Sequence, residues 1–291
     1  MRLRLLQLDA FADRLFSGNP AAVCPLPPER GWLDDATLQA IARENNLSET
    51  AFLLPGEGGA TGGDYALRWF TPQVEVELCG HATLASAAVV LDVLEPGRAS
   101  VTFQTKSGPL LVTRAECAEL AGLGGAGALE GAAGLRMDFP RWAPTPCDVT
   151  PALGEALVEA LGAWPRSVLR SGATLIGVFD ALPDVLALAP DFGRLRALPY
   201  EAVMVTARGD ETCDFVSRFF APAQGIDEDP VTGSAHCSLA PYWGARLKKT
   251  RLRARQCSAR GGALVCELRG ERVLLEGRVV PYLDGVIEIP G

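Results

Sequence analysis

Histidine is almost missing from this chain: 291 residues contain two, His81 and His236. That scarcity excludes a histidine-rich metal centre. The eight cysteines do not make up for it, because no C-x-x-C pair occurs and a structural zinc site needs four ligands at paired spacing. No metal is expected. Long apolar runs are missing as well. The longest, over 82–91, falls far short of the roughly 20 residues that cross a bilayer. Charge also interrupts Met1-Arg2-Leu3-Arg4, where a signal peptide would need an apolar core. No membrane partner is expected. Positive charge is in deficit, with 27 Lys and Arg against 35 Asp and Glu, a net charge of −8 and a pI near 5.0. A nucleic-acid partner is excluded on that ground, since phosphate attraction needs a basic surface. Cysteines scattered through a chain of this size read as reduced thiols of a cytoplasmic protein.

What is present is ordinary for a folded protein: 48% hydrophobic and 21% charged residues. Alternation predicts strands over 3–11, 51–54 and 64–70, and a hairpin over 100–114 turning at Ser107-Gly108-Pro109. Helical periodicity covers 35–44, 82–94, 151–161 and 235–247, with further strands over 167–171, 174–180, 202–206 and 214–220. A Gly/Ala-rich stretch over 118–134 divides an N-terminal half, 1–117, from a C-terminal half, 135–291, with the last strand free to return to the first half. The stretch contains G-x-G-x-x-G at Gly122, Gly124 and Gly127. No β-branched strand leads into it, so it is read as composition and not as a dinucleotide site. No cofactor is expected.

The informative feature is an internal repeat. Arg68-Trp69-Phe70-Thr71-Pro72 returns as Arg218-Phe219-Phe220-Ala221-Pro222, and Gly80-His81-Ala82 returns as Gly233-Ser234-Ala235 after a loop three residues longer. Each copy is a strand ending in aromatics, a proline turn, a loop, and a helix that starts at glycine. The first N–H groups of such a helix lack partners and carry partial positive charge, and glycine lets a ligand approach them closely. Two such ends, at Gly80 and Gly233, would hold the carboxylate or enolate of a small anionic molecule. Side chains able to move protons gather at the same places. His81 sits at the first helix start and Ser234 at the second, with Asp229 in the acidic loop just before it. Glu49, with Ser48 beside it, lies between a helix end and a strand start.

Gly18-Asn19-Pro20-Ala21-Ala22-Val23, Asn46-Leu47-Ser48-Glu49-Thr50-Ala51-Phe52, Cys79-Gly80-His81-Ala82-Thr83 and Asp229-Pro230-Val231-Thr232-Gly233-Ser234-Ala235 together resemble the motifs of the PhzF family of phenazine biosynthesis-like isomerases. The resemblance implies an α+β, diaminopimelate epimerase-like fold: two pseudo-symmetric halves, each a curved, mainly antiparallel sheet around a central helix. It also implies a homodimer and cofactor-free chemistry. Glu49 would be the general base and acid. His81, Asp229 and Ser234 would orient substrate and share the proton work, and Ser48, Gly80 and Gly233 would bind it.

Two other readings stand beside this one. A cysteine-type racemase or epimerase would use Cys79, but the residue in the matching place of the second copy is Thr232, and a thiol without its partner cannot work both faces of a carbon. A catalytically silent binding or scaffold protein would keep the cleft without the chemistry. The roles of Cys79 and His236 are open at this level.

Overall fold

The computed structural model describes residues 1–56, 63–116, 118–120 and 134–290. The Gly-rich turn expected at 56–63 and the stretch expected at 118–134, including its G-x-G-x-x-G, lie largely outside the described residues. Ala118–Leu120 form a single 3-10 turn. The chain divides into two compact units. The first comprises Met1–Ala118, Gly124–Asp138 and Glu276–Gly291, and the second Glu119–Leu123 and Phe139–Leu275.

In the first unit, β1 (Arg2–Ala10) pairs antiparallel with β2 (Asn19–Pro25), and α1 (Asp35–Asn45) leads to β3 (Glu49–Pro55), which lies parallel to β2. β4 (Tyr65–Phe70) turns back on β3 and carries the two-residue β5 (Glu75–Val76) on its edge. The central helix α2 (Gly80–Ala88) follows, then β6 (Ser100–Thr105), parallel to β4, and the antiparallel β7 (Gly108–Ala115) and β8 (Gly134–Pro140). Asp34 starts α1 by accepting the Thr37 N–H, and Asn46 ends it in the left-handed conformation, a position that asparagine tolerates. The apolar stripe of α1, Leu38 and Ile41, packs with Phe52 and Phe70 of the sheet. α2 has no solvent face. From His81 to Ala88 every side chain is buried, and its small residues let the sheet close in around it. Its two hydroxyl residues are satisfied internally, with Thr83 donating to the Cys79 carbonyl and Ser86 to that of Ala82. Beyond Ala88 the helix widens into a π-helical stretch, Val89–Leu94.

The second unit opens with β9 (Thr145–Pro146) and α3 (Pro151–Leu161) and then repeats the plan of the first. β10 (Ser167–Ser171) and β11 (Thr174–Val178) are antiparallel, and α4 (Leu182–Ala187) and α5 (Phe192–Ala197) lead to β12 (Ala202–Arg208), parallel to β11. β13 (Phe215–Ala221) turns back on β12 and carries β14 (Ile226–Asp229). α6 (Gly233–Leu247) precedes β15 (Arg251–Gln256), parallel to β13, and β16 (Gly262–Arg269). The last strand, β17 (Arg272–Glu288), runs from the second unit into the first, where it pairs with β1. The fold is therefore α+β with two pseudo-symmetric halves, each a mixed, mainly antiparallel sheet around one buried helix. Among the described residues no helix is long and apolar enough to cross a membrane.

The repeat extends to side-chain contacts. Arg68 makes a two-pronged bond to Glu75 at 2.7 and 2.9 Å, and Arg218 makes the same bond to Glu228 at 2.8 and 3.0 Å. Both guanidinium groups lie over the phenylalanine two positions on, Phe70 and Phe220. The bidentate pair pins each short strand to its neighbour and so fixes where the following helix begins. α6 contains Pro241, which has no N–H for the Cys237 carbonyl; the backbone N–H of Trp142 donates to that carbonyl instead, at 3.1 Å.

Three elements differ from the sequence-based expectation. The strand Asn19–Pro25 was hidden because Pro20 and two alanines give no clear alternation. The helices Leu182–Ala187 and Phe192–Ala197 are too short to show periodicity.

His236 is a core residue of the second unit. It is fully buried against Phe215, and its Nδ1–H donates to the Thr232 carbonyl at 2.8 Å. Burial lowers its pKa to about 4, partly opposed by that hydrogen bond. A depressed histidine is protonated first in the unfolded chain, so the stability of the neutral ring is complete above 6.5 and drains away as pH falls toward 4. Between neutral pH and about pH 4.5 the expected loss is about 2 kcal/mol. Denaturant unfolding at the two pH values should show it, and His236→Gln should lose most of that dependence.

Candidate active site

Glu49 is the first residue of β3, and the parallel register places it opposite Ala21 of β2. Two residues earlier on β2, Asn19 is wholly buried. His81 is the second residue of α2, and Cys79 immediately precedes that helix. Three separate segments thus meet. The Glu49 Oε2 and His81 Nε2 atoms stand 3.1 Å apart, with both side chains almost fully buried. On the far side of the ring, Nδ1 lies 3.2 Å from Asn19 Nδ2 and 3.5 Å from Cys79 Sγ. Ser48 and Gly80 are half-buried beside this group.

The electrostatics follow from the packing. Burial, reinforced by the Glu49 charge, pushes the Cys79 thiol up to about 11, so the sulfur is uncharged at neutral pH. For His81, burial opposes a charge on the ring, while the negative forms of Cys79 and Glu49 favour it; the balance holds its pKa well above 6.5. The result is a carboxylate beside a proton-bearing imidazole, a pair able to accept a proton from carbon and to donate one to a developing oxyanion.

In the second unit, Asp229 ends β14 and is buried, and its Oδ2 accepts a short hydrogen bond from the Thr232 hydroxyl. Gln256, fully buried at the end of β15, ties down the turn between them. Its Oε1 accepts from the Thr232 N–H at 2.9 Å, and its Nε2 donates to the Asp229 carbonyl at 2.7 Å and to the Thr232 hydroxyl at 3.2 Å. Gly233 opens α6 and is buried, while Ser234 is exposed. Of the expected site residues, then, Glu49 and His81 touch within the first unit, and Asp229, Gly233 and Ser234 cluster along one turn in the second. Sequence reasoning did not single out Gln256 or the role of Asn19. Asn19 lay within a quoted motif, whereas Gln256 carries no local signal at all.

The family and the relatives of this chain define it as an isomerase. The chain belongs to the phenazine biosynthesis-like protein family, whose PhzC-PhzF model matches residues 8–285. It is 51% identical over 289 residues to a Pseudomonas aeruginosa protein named as an isomerase, a match covering 99% of this chain and 100% of that one. The crystal structure of a PhzF family protein from Enterococcus faecalis superposes with a TM-score of 0.85 at 41% identity, over 99% of this chain and 100% of that one. A hydroxyproline epimerase from Agrobacterium vitis shares the fold, with a TM-score of 0.57 at 12% identity over 98% of this chain and 92% of that one.

Because the chain has two histidines, ring NMR resolves His81 without crowding. A raised folded-state pKa contributes stability that is complete below 6.5 and is lost as pH rises through the raised value. The titration of His81 should have its midpoint above 6.5, and Glu49→Gln should lower that midpoint. In the second unit, Gln256→Ala leaves a buried N–H and a carbonyl without partners and should destabilise by about 1–3 kcal/mol in denaturant unfolding.

Proposed function

We propose that this protein is a cofactor-independent isomerase that moves a proton between carbons of a small carboxylic acid, with Glu49 as the general base and acid. The observation that carries this reading is the Glu49–His81 contact: a buried carboxylate 3.1 Å from a proton-bearing ring, at the start of a helix without a side-chain cap. Glu49 takes the proton from carbon and returns it to a second carbon. His81, with the N–H groups at Gly80, stabilises the enolate-type charge that forms in between. In the second unit, Asp229, Ser234 and the N–H groups at Gly233 would bind substrate, with Gln256 fixing the Asp229–Thr232 turn.

The chemistry of Cys79 supports Glu49 over the thiol as the base. A thiol raised to about 11 is a poor proton acceptor at neutral pH, and Thr232 occupies the matching position of the second copy.

General bases contribute typically on the order of 10² to 10⁴ in rate. Small carboxylic acids incubated with the wild type in deuterated water should include one that gains deuterium at carbon. Glu49→Gln, which keeps the size of the side chain, should slow that exchange by at least about 10² while leaving the fold intact. Exchange at the wild-type rate in Glu49→Gln, together with its loss in Cys79→Ala, would transfer the role to the thiol.

A further inference from the structure

The same corner of the first unit has a second chemical capacity. Glu49, Cys79 and His81 each offer one donor atom, and these atoms all lie within 4.8 Å of one another. The ring can offer an ion one nitrogen only: Glu49 Oε2 stands 3.1 Å from Nε2, and Cys79 Sγ stands 3.5 Å from Nδ1. Zinc bonds of 2.0–2.3 Å in a tetrahedron put ligands about 3.3–3.8 Å apart, so closing the set around an ion takes a contraction of about 1 Å at its longest edge. A second observation points into the same space. His81 is 5% exposed, yet neither its Nε2 nor Glu49 Oε2 has an aligned hydrogen-bond partner. The two buried atoms are paired by charge at 3.1 Å without an aligned hydrogen bond.

We propose that Glu49, Cys79 and His81 form a binding site for a thiophilic divalent cation of the zinc class, and that the bound ion switches the isomerase off. The donor set selects the ion. One sulfur, one imidazole and one carboxylate suit Zn²⁺ or Co²⁺, whereas Mg²⁺ and Ca²⁺ prefer all-oxygen sites of higher coordination number. On binding, a metal–sulfur bond forms as the Cys79 S–H bond breaks and a metal–nitrogen bond forms as the His81 ring gives up its proton; both protons pass to solvent with no change in oxidation state. The ring stays supported, because the Asn19 amide beside Nδ1 can present either its N–H or its oxygen. Inhibition follows from geometry: a carboxylate and an imidazole coordinated to an ion cannot move protons. Binding stands independently of the catalytic reading, while inhibition rests on Glu49 being the base.

The probe is Co²⁺, titrated into the reduced, full-length protein. The expected result is one ion per chain, giving visible ligand-field bands and a near-ultraviolet thiolate-to-cobalt band, both erased by added Zn²⁺. Cys79→Ser should remove the near-ultraviolet band, while Cys257→Ser, which changes a half-buried thiol of the other unit, should keep it. Glu49→Gln should weaken Co²⁺ binding at least tenfold, with circular dichroism confirming that each variant is folded. Absence of any band in the wild type at about millimolar Co²⁺, or a band indifferent to Cys79→Ser, would overturn the site. Should Cys79→Ser fail to fold, unchanged Co²⁺ affinity in Glu49→Gln overturns it just as directly. If Zn²⁺ binds and deuterium exchange into the substrate continues undiminished, the site stands and Glu49 is not the base.

Discussion

The contact between Glu49 and His81 is the constraint to which the rest of the first unit answers. A carboxylate and an imidazole held out of water are tolerable only when each stabilises the other, since an isolated buried charge is expensive. Several features of the fold exist in the right place to make that pairing. The parallel register of the second and third strands sets the height of Glu49 on the sheet. The two-pronged Arg68–Glu75 bond holds the strand that precedes the helix, and the helix presents His81 one residue after its start. The asparagine behind the ring and the neutral thiol beside it complete an enclosure that contains one charge pair and little else.

The two copies share one scaffold and differ in the side chains they carry at matching places. Strand register makes the correspondence explicit. Thr50 faces Phe70 in the first unit as Val203 faces Phe220 in the second, so Ala202 stands where Glu49 stands. Ser234 likewise takes the place of His81, and Thr232 that of Cys79. The arginine–glutamate clamp survives in both copies because it organises structure. The carboxylate at the Glu49 position has no counterpart in the second copy, where Ala202 stands.

Much of this was legible in the sequence, for stated reasons. The repeat exposed the two-half architecture because aromatic pairs, prolines and helix-start glycines recur at matching places, and their recurrence does not depend on any single propensity. His81, Asp229 and Ser234 stood out as titratable or hydroxyl residues beside those helix starts, and Glu49 through the motif around it. The contacts among Glu49, Cys79 and His81 were not legible, since the packing of the second helix on the second and third strands brings together residues some thirty positions apart. Gln256 was invisible for the same reason: its three hydrogen bonds reach back across a helix to the Asp229–Thr232 turn. The strand containing Asn19 was missed because proline and alanine mute the alternation that marks a strand.

The central claim is that one carboxylate both removes and returns the proton. The most direct measurement uses a carboxylic acid that the protein isomerises, labelled with deuterium at the donor carbon and turned over in ordinary water. A single shuttling base, sheltered as Glu49 is, predicts that part of the label reappears at the acceptor carbon of the product in a single turnover. Complete loss of the label to solvent from the first turnover, with product protonated only from water, would contradict it and point to two separate acid–base groups.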